Sequence, residues 1–147
     1  MVIRMQVAFY KGTDRLFNRS VSWWLNGPYS HCELVLETVN GISHCASSSF
    51  MDGGVRTKWM ALNPEHWDLV DVWADEDEVY AWIREHKGQG YDILGLAGFV
   101  WRPLAGETRR WFCSEAVAAM LGFKHPWRFD PMNLYCAITR LPAVQAA

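Results

Sequence analysis

From Met1 to Tyr10 the chain ends in an apolar run, Val7-Ala8-Phe9-Tyr10, which predicts a strand. Lys11-Gly12 turns it. Thr13 is a good N-cap and Asp14 suits a first helical turn. Phe17, Val21, Trp24 and Leu25 then recur at helical spacing as a buried stripe. Asn26-Gly27-Pro28 stops that helix. Ser30 to Glu37 alternates and predicts a strand, with His31, Glu33 and Val35 on one face and Cys32, Leu34 and Leu36 on the other. Asn40-Gly41 is a hairpin signal, for a loop of two residues or more. Ile42 to Ser48 is the return strand. Asp52-Gly53-Gly54 turns again, and Val55 to Trp59 and His66 to Trp73 are two further strands.

Past residue 74 the period changes. Asp75 with Glu78 resembles a capping box. Val79, Trp82, Ile83 and His86 form the stripe of a helix that Gly88 ends. Gly90-Tyr91-Asp92 opens an apolar helix to about Trp101, and Arg102 to Arg110 is a polar loop. Trp111 to Leu121 is a helix ended by Gly122. Asp130-Pro131 is an N-cap and N1 pair for a last short helix. No repeat, linker or low-complexity stretch interrupts the chain. The expected class is α+β, a mainly antiparallel sheet with segregated helices, and 147 residues fit a single domain.

Composition narrows the function classes. Fourteen Lys and Arg against sixteen Asp and Glu give a net charge of −2, which disfavours a basic nucleic-acid binder. Half the residues are apolar, which excludes disorder. Nine tryptophans point to a large aromatic core with some groove-lining rings. The longest apolar candidate, Ile93 to Trp101, falls short of the roughly 18 residues a membrane span needs. The first residues lack the apolar segment of a signal peptide, so a cytoplasmic protein with no integral membrane segment is expected. Four cysteines, Cys32, Cys45, Cys113 and Cys136, form no CxxC pair and are expected to be thiols.

Cys113 is the first candidate for chemistry. It lies near the start of a predicted helix, where unpaired N–H groups and the positive dipole end favour a thiolate and can hold an oxyanion. Lowering a thiol pKa by two units takes about 2.7 kcal/mol. A helix end supplies about 1–2 kcal/mol of it, so a cationic neighbour is needed. His31, at the start of its strand, is the natural one. A third group must orient the imidazole, and three are candidates. With a loop of Thr38 to Gly41, His44 lies opposite Val35 on the face of His31, and Ser48 lies opposite His31. Glu33 shares that face two residues along. A one-residue slip turns His44 away and brings Cys45 in.

The motifs Ser30-His31-Cys32-Glu33-Leu34-Val35, His44-Cys45-Ala46-Ser47-Ser48, Gly90-Tyr91-Asp92 and Phe112-Cys113-Ser114-Glu115 resemble the circularly permuted branch of the NlpC superfamily. These are papain-like cysteine hydrolases, YiiX-like and YebB-like, related to lecithin–retinol acyltransferase. The order here, His31 before Cys113, is the permuted one, and the resemblance spans about Ala8 to Leu121. Residues 47–56 also resemble phage-encoded members. The resemblance implies a papain-like sheet with helices packed on it, Cys113 as nucleophile and His31 as base. It implies His44 as third polar residue, with the spacing off by one. Tyr91 maps to an oxyanion-assisting tyrosine and Ser114 follows the nucleophile in the motif. Glu33 replaces a small or apolar residue, as a candidate orienting group. The implied activity is hydrolysis or acyl transfer at an amide, ester or thioester, through an acyl-enzyme and with no cofactor. The implied partner is a small-molecule, peptide or acyl/lipid substrate.

Two other classes stay open. His31, His44 and Cys113 could chelate zinc, each His-Cys dipeptide giving one ligand to a shared site. The domain could also be a binding or structural module, of phage accessory kind, on a hydrolase fold. Asp75 to Glu78 reads as a solvated helix start and Arg109-Arg110 as surface. His66, His86 and His125 have no convincing partners, and Cys136 reads as a core thiol.

Overall fold

The computed structural model describes residues 1–12, 27–91 and 110–140. The helices expected over 13–26 and beyond Tyr91, with most of the polar loop before Arg110, lie outside the described residues. Five strands form one antiparallel sheet: β1 (Val2–Tyr10), β2 (His31–Val39), β3 (Ile42–Ser49), β4 (Gly54–Met60) and β5 (Trp67–Asp75). Their order is β4-β3-β2-β1-β5. Among the described residues three helices follow: α1 (Glu76–His86), α2 (Cys113–Met120) and α3 (Pro131–Arg140). Two short strands that periodicity could not signal, β6 (Gly90–Tyr91) and β7 (Arg110–Trp111), pair in parallel. The fold is α+β. Among the described residues no helix is long and apolar enough to cross a membrane.

Alternation in β1 and β2 makes the two faces. Met5, Val7 and Phe9 with Cys32 and Leu34 join Val79 and Ile83 of α1, Val117 and Met120 of α2, and Leu134 and Ile138 of α3 in the main core. Fully burying one such side chain contributes about 1.5–3 kcal/mol, so this shared layer holds all three helices on one face. The opposite face carries a small cluster of Ala8, Val35 and Cys45, with Met60, Leu62 and Trp67 against it.

The hairpin between β2 and β3 differs from the expected register. Asn40 and Gly41, with φ of 51° and 78°, make a tight two-residue loop. Val39 therefore pairs with Ile42 and Glu37 with His44. Leu36 is then an extra residue, and beyond it Val35 pairs with Cys45 and Leu34 with Ala46. This β-bulge shifts β2 by one position along its length.

The helix that follows β5 begins as its sequence implies. Asp75 accepts hydrogen bonds from the N–H groups of Asp77 (3.0 Å) and Glu78 (3.4 Å). Its far end is tied back to the sheet: Val55 N–H donates to Gln89 O at 2.8 Å, and Gly88 N–H to Val55 O at 2.9 Å. Gly54 makes that approach possible, since a Cβ there would lie 1.9 Å from Gln89 O and φ is +139°.

Candidate active site

α2 is shorter than its apolar pattern, because Trp111 belongs to β7 and Phe112 is the N-cap. Cys113 is therefore the first helical residue, where N–H groups have no intrahelical acceptor. Two bonds fix that start. Ser48 Oγ donates to Trp111 O at 2.5 Å, and the Glu115 carboxylate accepts from Phe112 N–H at 3.3 Å. The Cys113 side chain is fully buried, and His31 and Cys32 both lie close enough to act on its charge state.

His31 opens β2 at the end of the sheet, so its ring can meet groups from both layers. Its Nε2 lies 2.7 Å from Glu33 Oε1, and Cys113 lies close enough to favour the charged ring. Glu33 has no exposure to solvent. Arg56 on β4 meets it twice, Nη1 to Oε2 at 2.7 Å and Nη2 to Oε1 at 2.6 Å. Arg56 Nε donates to Asp52 Oδ2 at 2.8 Å, and Lys58 Nζ to Asp52 Oδ1 at 3.2 Å. A row of alternating charge thus runs from the surface to the thiol. Arg56 pairs with Ser47 across β3 and β4, and continuing the β2–β3 register puts Ser47 beside Glu33. The small serine leaves the guanidinium a path across β3.

The electrostatics follow from these contacts. Burial pushes the Cys113 thiol up, but hydrogen bonds from Cys32 and the charge of His31 outweigh it and hold the thiol at about 5. Burial pulls His31 down, and the Cys113 thiolate with Glu33 raises it to about 10. Burial would likewise raise Glu33, yet Arg56 and His31 keep it below the usual carboxylate range. Cys32 is pushed well above the ordinary thiol value by burial, with the Cys113 contact next. It is therefore a neutral donor to a thiolate. These shifts all run toward a thiolate–imidazolium pair backed by a buried carboxylate.

Several sequence expectations take a different form here. His44 does not reach this centre. The bulge at Leu36 places it opposite Glu37, about 20 Å along β2 from His31 at the usual rise per residue. It shares the sheet face of Ala46, away from Glu33. There it stacks on Trp59 at 4.7 Å, with Nδ1 3.7 Å from Glu37 Oε1, too long for a hydrogen bond. Cys45, the residue a slip would bring in, is packed with Ala8 and Val35. Ser48 holds Trp111 rather than His31. Ser114 is fully buried and its Oγ donates to Phe129 O at 2.6 Å, so its hydroxyl ties α2 to the segment before α3. Tyr91 does come close: its ring packs on Phe112 at 5.6 Å and Phe50 at 5.9 Å. His86 is packed between Trp82 (4.3 Å, stacked) and Trp111 (5.0 Å, edge-on). Of the three orienting candidates, Glu33 is the one bonded to His31.

On the Glu33 face, beside His31, a cavity of about 290 Å³ opens. Tyr10, Phe50, Met60, Trp67 and Tyr91 line it with His31, Glu33 and Arg56. That volume is near the lower end for small-molecule sites. Arg56 and the donor role of Cys32 escaped sequence reasoning. Arg56 becomes visible only once the β3–β4 register is known, and Cys32 only once α2 is seen to start on its side of the sheet.

Compared with protein families, with curated proteins and with solved structures, the chain matches none. What the centre can do is therefore read from its own chemistry. Among the described residues no three His, Cys, Asp or Glu side chains gather as a metal set. The trio His31, His44 and Cys113 is not assembled, because His44 stands at the other end of β2.

Proposed function

We propose that the chain is a cysteine hydrolase or acyltransferase of papain-like, circularly permuted kind. The observation that carries this reading is the contact of Cys113, at a helix N-terminus, with His31, whose Nε2 meets the buried Glu33. In the proposed reaction the Cys113 thiolate attacks the carbonyl carbon of an amide, ester or thioester. The carbonyl π pair moves to oxygen, where N–H groups of the first turn of α2 receive it. His31 gives its proton to the leaving amine, alcohol or thiol as the C–N, C–O or C–S bond breaks. Water or another acceptor then attacks the acyl-enzyme, losing its proton to His31, and Cys113 leaves as thiolate. Glu33 holds the imidazole in place and favours its charged form.

The complete burial of Cys113 favours a second reading, a binding module whose thiol meets no substrate. Alkylation by iodoacetamide across pH 4 to 10, followed at each cysteine by peptide mass, separates the two. Under the enzyme reading Cys113 reacts fast with an apparent midpoint near 5, and His31→Ala abolishes that. A Cys113 that titrates as an ordinary thiol, or does not react, removes the enzyme reading.

A further inference from the structure

Ser30 stands one residue before His31 and takes no part in the reaction written above. Its backbone N–H donates to Tyr10 O at 3.1 Å, which fixes the residue at the end of β1 and β2. It is 4% exposed, and its Oγ has no hydrogen-bond partner. A buried hydroxyl left unpaired destabilises the ligand-free protein and calls for an explanation. The location supplies one, since Ser30 lines the cavity beside His31.

The neighbours restrict what could pair with it. Both Glu33 oxygens are already taken, by His31 and twice by Arg56. Arg56 in turn is committed to Glu33 and Asp52. Lys58, the remaining cation of the lining, meets Asp52 at 3.2 Å. The charges that line the cavity are thus paired with one another, and a charged group brought beside Ser30 would have to break one of those pairs. The walls supplied by Tyr10, Met60 and Trp67 are apolar or aromatic. A serine hydroxyl both donates and accepts, so either end of an amide or the carbonyl of an ester satisfies it.

We propose that Ser30 is the substrate-recognition residue of this centre: its hydroxyl hydrogen-bonds an uncharged amide or ester group whose apolar or aromatic substituent sits against Tyr10, Met60 and Trp67. The inference rests on the reading of Cys113 and His31 as a reactive pair. It makes Ser30 a group held unsatisfied until substrate arrives, so selectivity is built into the turn that delivers His31.

Two thiol reagents test it on the full chain at pH 7, with Cys113 followed by peptide mass. N-phenyl iodoacetamide carries an amide and an aromatic ring; the thiolate displaces iodide from its methylene. Methyl methanethiosulfonate carries neither; the thiolate displaces methanesulfinate from sulfur. Ser30→Ala is expected to slow the first reagent about fivefold, the effect of one net hydrogen bond, and to leave the second within twofold. Its melting temperature is expected to be unchanged or higher, because an unpaired buried hydroxyl is gone. Ser30→Thr, which keeps the hydroxyl, is expected to stay within threefold of the parent with both reagents. Equal slowing of both reagents by Ser30→Ala would mean that Ser30 acts through the Cys113–His31 pair and overturns the proposal. So would no slowing of either, or a loss in Ser30→Thr equal to that in Ser30→Ala. If neither reagent labels Cys113 in the parent protein, the reactive-pair reading itself falls, and the inference with it.

Discussion

His31-Cys32 and His44-Cys45 are the same dipeptide on neighbouring strands, and they come to opposite ends. His31 lies 2.7 Å from a carboxylate with no exposure, and against a thiol at a helix start. His44 lies 3.7 Å from Glu37, whose side chain is 53% exposed, and rests on a tryptophan. Cys32 donates to Cys113, whereas Cys45 is packing. Residue type is equal in the two places, so the difference comes from what the fold adds. At the His31 end it adds a helix N-terminus and a carboxylate stripped of water. At the His44 end the nearby carboxylate is solvated, which weakens any charge pair.

The largest contrast is expected in the carboxylates. Glu33→Gln leaves Arg56 buried without its full counter-charge, and should lower unfolding stability by about 3–5 kcal/mol. Glu37→Gln should stay within about 0.5 kcal/mol. Urea midpoints at pH 7 read both, and similar losses would erase the distinction. The histidines come next. With His31→Ala the thiol returns toward its ordinary range, so the thiolate fraction at pH 7 falls to about 1% and alkylation of Cys113 slows about 100-fold. His44→Ala should change that rate by less than about twofold.

Stability against pH sharpens the same contrast. His31 is raised from 6.5 to about 10, so its contribution is full below 6.5 and lost as pH rises through about 10. Cys113 is lowered from 9.0 to about 5, so its contribution is full above 9.0 and lost as pH falls through about 5. The stability difference between the parent and Cys113→Ala should therefore be greatest between 6.5 and 9.0, and smaller at pH 4.5 and pH 10.5. A flat difference would refute the ion pair. The smallest effect is expected at the cysteines. Cys32→Ala removes one donor and should slow Cys113 alkylation at pH 5 by roughly threefold to tenfold. Cys45→Ala should leave that rate alone while costing some stability through the small cavity it opens.

Much of this was readable from residue order. The five strands, the turns at Asn40-Gly41 and Asp52-Gly53-Gly54, and the helices after Asp75 and Asp130 all carry local signals. Cys113 and His31 could be singled out because a thiol near a predicted helix start and a histidine at a strand start are local features too. The third partner could not be chosen, because that depended on a single inserted residue. Leu36 reads as an ordinary apolar strand position, and nothing in its neighbours announces that it will sit unpaired. Arg56 was invisible for a related reason: its partner is two strands away, and its path crosses Ser47.

The bulge at Leu36 has a consequence for how the hairpin can change over time. It divides β2 into two half-strands whose alternation is out of phase. Substitutions in the outer half, around Glu37, Thr38 and the turn, are insulated from the inner half that carries His31 and Glu33. The outer half is free to drift in composition, and its exchange of charged and aromatic residues leaves the inner addressing intact. Loss of the one residue at position 36 would leave these pairs as they are, Val35 with Cys45 and Glu37 with His44, and would remove only the bulge. The hairpin should thus tolerate many replacements near its tip and the loss of this one residue, but no insertion or deletion between His31 and Glu33, which share a face only at their present spacing.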